Sequence, residues 1–152
     1  MPSAMPDGLE ARVALGFLQK LDEWDLVTWS ETEPYTAETV RPAYLGPSEP
    51  ANAPHERVIV TARTALQIRG QIVDVPLGVA WRGPVDGDDL QGVNFLGLLA
   101  RRLYRIGPLE LGGVRVAGAR IESSGVLPRD SSRRLMATAT ILFRARMASA
   151  NT

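Results

Sequence analysis

Three aspartates, Asp86, Asp88 and Asp89, form a compact group of carboxylates that could in principle hold a cation. A calcium loop needs further oxygen ligands at fixed spacing and a terminal glutamate, and the stretch from Gln91 to Leu96 supplies none. The group directly precedes a predicted helix, where carboxylates cap free amides and interact favourably with the helix dipole. We therefore interpret it as helix capping.

The chain has one histidine, His55, and no cysteine. These counts exclude cysteine nucleophiles, thiolate metal sites and histidine clusters. A catalytic histidine needs a shielded pocket and a nucleophile, and no G-x-S-x-G segment supplies one. We expect His55 to be a solvent-exposed loop residue, and we expect no catalytic residue, no metal site and no cofactor.

A basic cluster formed by Arg101, Arg102 and Arg105 could contact phosphate. Against a nucleic-acid-binding domain, the 17 basic residues are balanced by 17 acidic ones, and no aromatic residues interleave with this cluster. A solvated or interface face of a helix is the preferred interpretation. No segment approaches the roughly 20 apolar residues of a membrane span, so we expect no membrane partner.

The first predicted element is a helix over residues 7–24, with Asp7 as its cap and Glu10 as a capping-box partner. Leu15 lies on the polar side of this helix and does not fit the apolar stripe. The stripe repeats at helical spacing and consists of Leu9, Val13, Phe17, Leu21 and Trp24.

Residues 31–57 differ in kind, because they contain five of the 11 prolines. Proline removes backbone donors and favours extended neighbours. This pattern predicts a long surface excursion with one short strand near Val40 to Leu45. Long loops are usually functional or mobile, so a partner-binding arm and a flexible loop both stay open.

Strands are predicted within residues 58–82, from Val58 to Leu66 and from Leu77 to Arg82, with a turn or loop between them. A second helix is predicted over residues 88–106 and is stopped by Gly107-Pro108. Leu98 lies on the polar side of this helix. The predicted core stripe consists of Val93, Leu96, Leu99, Ala100, Leu103 and Ile106.

Residues 113–146 read as a long β-hairpin whose second strand alternates apolar and polar residues from Arg134 to Arg146. Its connection, Ser123 to Arg133, is longer than the roughly 2–5 residues that a hairpin needs. The 152 residues are one domain's worth of chain. We predict one α+β domain over residues 1–152: an antiparallel or mixed sheet, two helices packed on one face, and a long C-terminal hairpin.

Four segments in this order resemble the small tail terminator proteins of long-tailed bacteriophages, also called tail completion or minor capsid proteins. They are LEARVALGFLQ, the proline-containing run ending HERVIVTA, LGVAWRGPVDGDDL, and LGGVRVAGARIESSGVLPRDSSRRLMATATILF. The resemblance extends from Leu9 to about Arg146 and rests on order and spacing. Residues 31–57 and the stretch from Gln67 to Pro76 are longer than the family pattern.

The resemblance implies a structural virion protein without enzymatic activity, assembled in the bacterial host cytoplasm into the phage tail or neck. Such proteins form a ring, expected to be hexameric, that caps the head-proximal end of the tail tube and stops its polymerisation. The implied partners are other copies of the chain, the tail tube protein and the head–tail connector or head completion protein. DNA is implied only as cargo passing through the lumen.

In such a ring, Leu15 and Leu98 are expected near subunit contacts and outside the monomer core, and Arg101 and Arg105 lie on an interface helix face. The hairpin tip is expected to extend away from its own sheet towards a neighbour. Its arginines would then pair with carboxylates of an adjacent subunit or of the tail tube, although a mobile, solvated loop is the alternative. These tip arginines are Arg120, Arg129, Arg133 and Arg134.

Three other functions stay open on the sequence. The first is a head-side neck or connector protein of the same particle. The second is a small enzyme with a shallow site built from Arg82, Asp86 and Asp88. The third is a nucleic-acid-binding adaptor that uses the basic cluster on the second helix, for which steep salt dependence of DNA binding would be diagnostic.

Overall fold

The computed structural model describes residues 8–31, 35–46 and 56–146. Asp7 and His55 lie outside these ranges, as do residues 32–34 and 47–55 of the proline-rich segment. The described elements are two helices and seven strands. In chain order they are α1 (Leu9–Glu23), β1 (Ala43–Leu45), β2 (Arg57–Ala62), β3 (Leu66–Arg69), β4 (Ile72–Arg82), α2 (Gln91–Leu103), β5 (Leu109–Leu111), β6 (Val114–Leu127) and β7 (Met136–Arg146).

The strands form one mixed sheet in the order β1-β2-β4-β7-β6-β5, and β3 pairs with β4 beyond the end of β2. The β1–β2 pair is parallel, and the other strand pairs are antiparallel. The sheet and the two helices make the protein α+β, as the sequence pattern predicted. The short strand predicted near Val40 to Leu45 is present as β1.

The core lies between the helices and alternate residues of the central strands. Phe17 of α1 contacts Phe143 of β7 edge-on, with ring centroids 5.0 Å apart. Gly92 of α2 lies against Trp81 of β4 and Ala137 of β7. Because Ala137 and Phe143 are six residues apart on one strand, they point to the same side of the sheet.

The turn or loop predicted between Gln67 and Pro76 is wrong, because this stretch forms the β3–β4 hairpin around Gly70. Pro76 suggested a break, since proline cannot donate to a strand ladder. Here the Pro76 carbonyl faces the interruption between β2 and β3, where it accepts a bond from Arg63 N at 3.2 Å. The missing N–H of Pro76 points the same way, so no strand partner loses a bond.

The second helix is shorter than predicted, and only part of its predicted core stripe faces the core: Leu99 and Leu103 are buried and Leu96 is partly buried. It ends at Leu103, because Tyr104 is extended and Arg105 adopts a left-handed φ of 54°. Val93 and Ala100, which the stripe assigned to the core, are exposed. The buried residues of α2 are Gly92, Phe95, Leu99 and Leu103.

Candidate interaction surface

The connection between β6 and β7 does not project from the sheet. β6 continues to Leu127, which pairs with Met136, so the predicted loop from Ser123 to Arg133 is wrong in its first five residues. β4 runs beside β7 to the same level, because Arg82 pairs with Met136 as well. The actual connection, residues 128–135, which we call the hairpin loop, therefore starts at the end of the sheet and not at the end of an arm.

Asp130 organises the hairpin loop. Its Oδ1 accepts bonds from the backbone amides of Ser132 and Arg134, at 2.8 and 3.1 Å. Its Oδ2 accepts a bond from Arg82 Nη2 of β4 at 2.8 Å. The hydrogen bond from the backbone N–H of Arg134 is the main reason that the pKa of Asp130 is lowered. The bond to Ser132, two residues on, is that of an ordinary aspartate turn, and it was not singled out in the sequence.

The loop arginines pair with carboxylates of their own chain. Arg129 donates to Asp89 and to the Gly87 carbonyl. Arg133 forms an ion pair with Asp86 at 3.3 Å. These arginines were expected to pair with carboxylates of a neighbouring subunit. In the monomer they pair within the chain instead, because the hairpin loop folds back onto residues 83–90. We call residues 83–90 the acidic loop.

Arg120 and Arg134 also lie close to their own sheet. Arg120 of β6 forms an ion pair with Asp74 of β4 at 3.2 Å. Arg134 is buried, and its Nη1 donates to the Gly83 carbonyl at 3.2 Å. Burial, followed by the nearby positive charge of Arg57, lowers the pKa of Arg134. Arg134 therefore belongs to the interior of the monomer.

Asp74 was not identified in the sequence as a residue of interest, because its segment was predicted to be a turn or loop, where aspartate is common. Its side chain is 3% exposed. Arg144 of β7 donates to both of its oxygens, from Nε at 3.0 Å and from Nη2 at 3.2 Å. The hydrogen bonds from Arg144 are the main reason that the pKa of Asp74 is lowered. Together with Arg120, these bonds tie β4, β7 and β6 together.

The two leucines expected at subunit contacts have different environments. Leu15 is 8% exposed, so the prediction that it lies outside the monomer core is wrong. Six consecutive residues from Val13 to Leu18 are buried, because the sheet covers one side of α1 and the β5–β6 turn at Gly112 covers another. Leu98 is 40% exposed and remains available for contacts.

Leu98 borders a groove of about 180 Å³ between α2 and the strands. Trp81 closes the base of the groove, and its Nε1 donates to Glu56 at 2.8 Å. Phe95 and four polar residues complete the lining: Arg41, Glu56, Gln91 and Asn94. Arg101 is exposed on α2, and Arg105 is exposed just after it, with its guanidinium over the Tyr104 ring, 5.4 Å from the centroid. The groove therefore combines apolar side chains with charged and amide groups.

A second exposed apolar group lies at the opposite end of β4. Leu66, Ile68 and Ile72 of the β3–β4 hairpin are each about half exposed, and we call them the β3–β4 patch. The length of β4 separates this patch from the Leu98 groove, and eleven residues at about 3.3 Å per residue make that roughly 33 Å. The patch was not predicted from the sequence, because the stretch from Gln67 to Pro76, which contains Ile68 and Ile72, was expected to be a turn or loop.

The acidic loop does not form the shallow site considered for an enzyme. The prediction that the three aspartates cap α2 is wrong: the N-cap position is Leu90, and no side-chain hydrogen bond caps the helix in the described chain. Asp88 Oδ1 instead accepts a bond from Leu90 N at 2.7 Å, in the turn before α2, and Asp86 and Asp89 pair with arginines of the hairpin loop. Asp86 and Arg82 pair with different residues of the hairpin loop. Within residues 8–31, 35–46 and 56–146, no three His, Cys, Asp or Glu side chains come together as a metal-binding group.

Comparison with known proteins leaves the family open: no family model matches the chain, and no curated protein matches it significantly in sequence. Neither helix of the described chain has the length and apolarity that a membrane span requires.

Proposed function

We propose that this protein is a non-enzymatic virion component that assembles into a ring, expected to be hexameric, at the head-proximal end of a phage tail tube. In this role it stops tube polymerisation and joins the tail to the head connector. Its partners are other copies of itself, the tail tube protein and the connector, with DNA passing through the lumen. Assembly takes place in the host cytoplasm.

The order of elements supports this proposal. The segments that resemble tail terminator proteins form α1, the end of β4 with the acidic loop, and the β5–β6–β7 region. As part of the proposal, both helices cover one face of the sheet beside a long C-terminal hairpin, because Phe143 and Ala137 point to the same side and contact α1 and α2 respectively.

The observation that carries the proposal is that exposed apolar side chains lie at both ends of β4: Leu98 beside a partly polar groove at one end, and the β3–β4 patch at the other. Soluble monomers seldom expose apolar clusters without an interaction that covers them. Two different sites on one chain allow heterologous contacts, in which one site of each copy meets the other site of the next copy, and such contacts close into a ring when the rotation permits. We assign the β3–β4 patch and the Leu98 groove to these two roles.

In the proposed contact, an apolar side chain of the β3–β4 patch enters the Leu98 groove of the next subunit. Ile68 is the best candidate, because it lies at the irregularity between Gln67 and Arg69, where the register of β3 shifts. Arg101 and Arg105 lie at the rim of this contact, where exposed charges affect specificity and association rate more than affinity.

The test is electron microscopy and native mass spectrometry of the purified chain and of two variants, Leu98→Asp and Ile68→Asp. We expect rings from the wild-type chain and folded protein without rings from both variants, because each introduces a charge into one half of the contact. Gln19→Asp on the exposed side of α1 is the control and should assemble normally.

Three outcomes would contradict parts of the proposal. A wild-type chain that stays monomeric alone and with tail tubes rules out the ring. Rings that survive both substitutions rule out the assigned contact. Rings found on the connector side of tailless heads, and never on tubes, indicate a head-side neck protein of the same particle.

A further inference from the structure

The solvent side of α2 carries an apolar stripe that the proposed ring contact does not use. Its five residues are spaced by three, four, three and four positions: three of them lie on one face of α2, and the residues directly before and after the helix continue that face at its two ends. Leu90, Val93 and Tyr104 are 62%, 52% and 73% exposed. We call the stripe the α2 seam; it consists of Leu90, Val93, Gly97, Ala100 and Tyr104.

The α2 seam is distinct from the buried face and from the Leu98 groove. At about 100° per residue, Val93 and Leu98 are roughly 140° apart around the helix axis. The seam faces the side of β6, since Ala100 and Tyr104 line a shallow groove together with Ala119 and Ile121. The space beside Gly97 is open: a Cβ added there would meet no atom of the described chain within 4 Å, apart from the helix's own backbone and the two adjacent residues.

We propose that the α2 seam packs against the same seam of a second copy of this chain, with the two helices antiparallel and a two-fold axis beside Gly97. A two-fold contact pairs the same surface on both copies, so it differs from the heterologous contacts of a cyclic ring. It joins two subunits, or two rings face to face. This inference goes beyond the proposed function and does not depend on it.

Side-chain size favours the antiparallel arrangement. With Gly97 opposite Gly97, a residue a given number of positions before Gly97 faces the residue the same number of positions after it on the other copy. Leu90 therefore lies opposite Tyr104. Val93 then lies beside the small Ala100. Small residues at the centre allow the helix axes to approach to about 8–10 Å. A parallel arrangement would put Tyr104 against Tyr104 and leave a gap at Gly97.

Charge favours the same arrangement. The C-terminal end of α2 carries Arg101 and Arg105, and its N-terminal end is preceded by Asp88 and Asp89. Antiparallel packing brings the basic end of one helix beside the acidic end of the other, whereas parallel packing would put arginine against arginine. Asp89 bonds to Arg129 of its own chain, yet its side chain is 83% exposed and can contact a second cation.

The contact is expected to be weak. One helix packed on one helix covers less than the about 1,200 Å² at which stable interfaces begin. The test therefore traps the contact covalently. Because the chain contains no cysteine, a single engineered thiol can form a disulfide only with the same position of another copy.

The informative variant is Gly97→Cys. With helix axes about 8–10 Å apart and Cα atoms about 2.3 Å from each axis, facing Cα atoms lie roughly 3.5–5.5 Å apart. This range overlaps the roughly 4.4–6.8 Å that a disulfide spans. The matched control is Gly107→Cys, at an exposed glycine after α2 where a Cβ also meets open space.

We expect Gly97→Cys to form disulfide-linked dimers under mild oxidation at least tenfold faster than Gly107→Cys. It should do so equally in a Leu98→Asp background, in which the proposed ring contact is broken. Cross-linking of Gly97→Cys that is absent, or no faster than that of the control, overturns the inference. Rings observed together with that result leave the proposed function standing.

Sedimentation velocity of cysteine-free protein in the Leu98→Asp background gives a second measurement. We expect concentration-dependent dimers that are lost when Val93→Asp is added, because the new charge lies in the seam. Gln19→Asp added to the same background should leave the dimers intact. Monomers at all concentrations in the Leu98→Asp protein, or dimers that persist in Val93→Asp, overturn the inference.

Discussion

At the scale of single residues, the chain uses arginine mainly to hold its own sheet and loops together. Arg144 and Arg120 meet on Asp74, and Arg82 meets Asp130. A buried carboxylate is stable only when such partners satisfy its oxygens, and Asp74, 3% exposed, accepts three hydrogen bonds from Arg144 and Arg120. Its charge therefore links three neighbouring strands.

We predict that Asp74→Asn lowers the free energy of unfolding by about 1.5–3 kcal/mol at neutral pH, since hydrogen bonds to a charged group are lost. Folding lowers the pKa of Asp74, so its ionised side chain stabilises the folded state fully at any pH above its unfolded pKa of about 3.9. This stabilisation is lost as the pH falls through the lower pKa of the folded state. Urea denaturation of wild type and variant should therefore converge in acid. Glu110→Gln, at an exposed position, is the control.

At the scale of elements, the closest approach is between α1 and the β5–β6 turn. Gly16 and Gly112 face each other, and a Cβ on either residue would clash with the backbone of the opposing element. Gly112 also has a φ of 58°, which a side chain would strain. The turn sits against α1 because neither residue carries a side chain.

We predict that Gly16→Ala destabilises the protein by about 3 kcal/mol, because the added methyl group meets backbone that cannot rotate away. Gly97→Ala, also inside a helix, is the matched control. A Cβ there meets open space, so removing glycine's extra freedom in the unfolded chain should raise stability by about 0.5–1 kcal/mol. Thermal unfolding of both variants measures the contrast, and equal effects would contradict the assigned packing.

At the scale of the whole molecule, the hairpin loop and the acidic loop form one end of the protein through ion pairs across long sequence separations. Arg129 with Asp89 and Arg133 with Asp86 connect β6–β7 to the start of α2. The α2 helix is therefore oriented by the hairpin as well as by the core. This leaves the Leu98 groove, the α2 seam and the β3–β4 patch as separate exposed surfaces for assembly.

We predict that the protein still folds when residues 128–133 are replaced with a two-residue Asn-Gly turn. Its urea midpoint should be lower, because the ion pairs that Arg129 and Arg133 form with the acidic loop are lost. Ring formation should suffer less than in Leu98→Asp, because the loop arginines are already paired within the chain. Electron microscopy of both variants tests this. A truncated protein that keeps wild-type stability and forms no rings would restore the hairpin loop as a direct subunit contact.

Local patterns by themselves determined the two helices, the α+β class and the strand β7, because hydrophobic periodicity reflects which side of an element is buried. Tertiary structure alone decided three other features. Strand β4 can accommodate Pro76 only because β2 ends and β3 begins beside it, so that no neighbouring strand requires its N–H. Val93 and Ala100 lie outside the core because the face of α2 that packs on the sheet is the one with Gly92, Phe95, Leu99 and Leu103. The arginine partners came from residues some 40–70 positions away, and no local signal encodes which distant carboxylate a folded chain brings within reach.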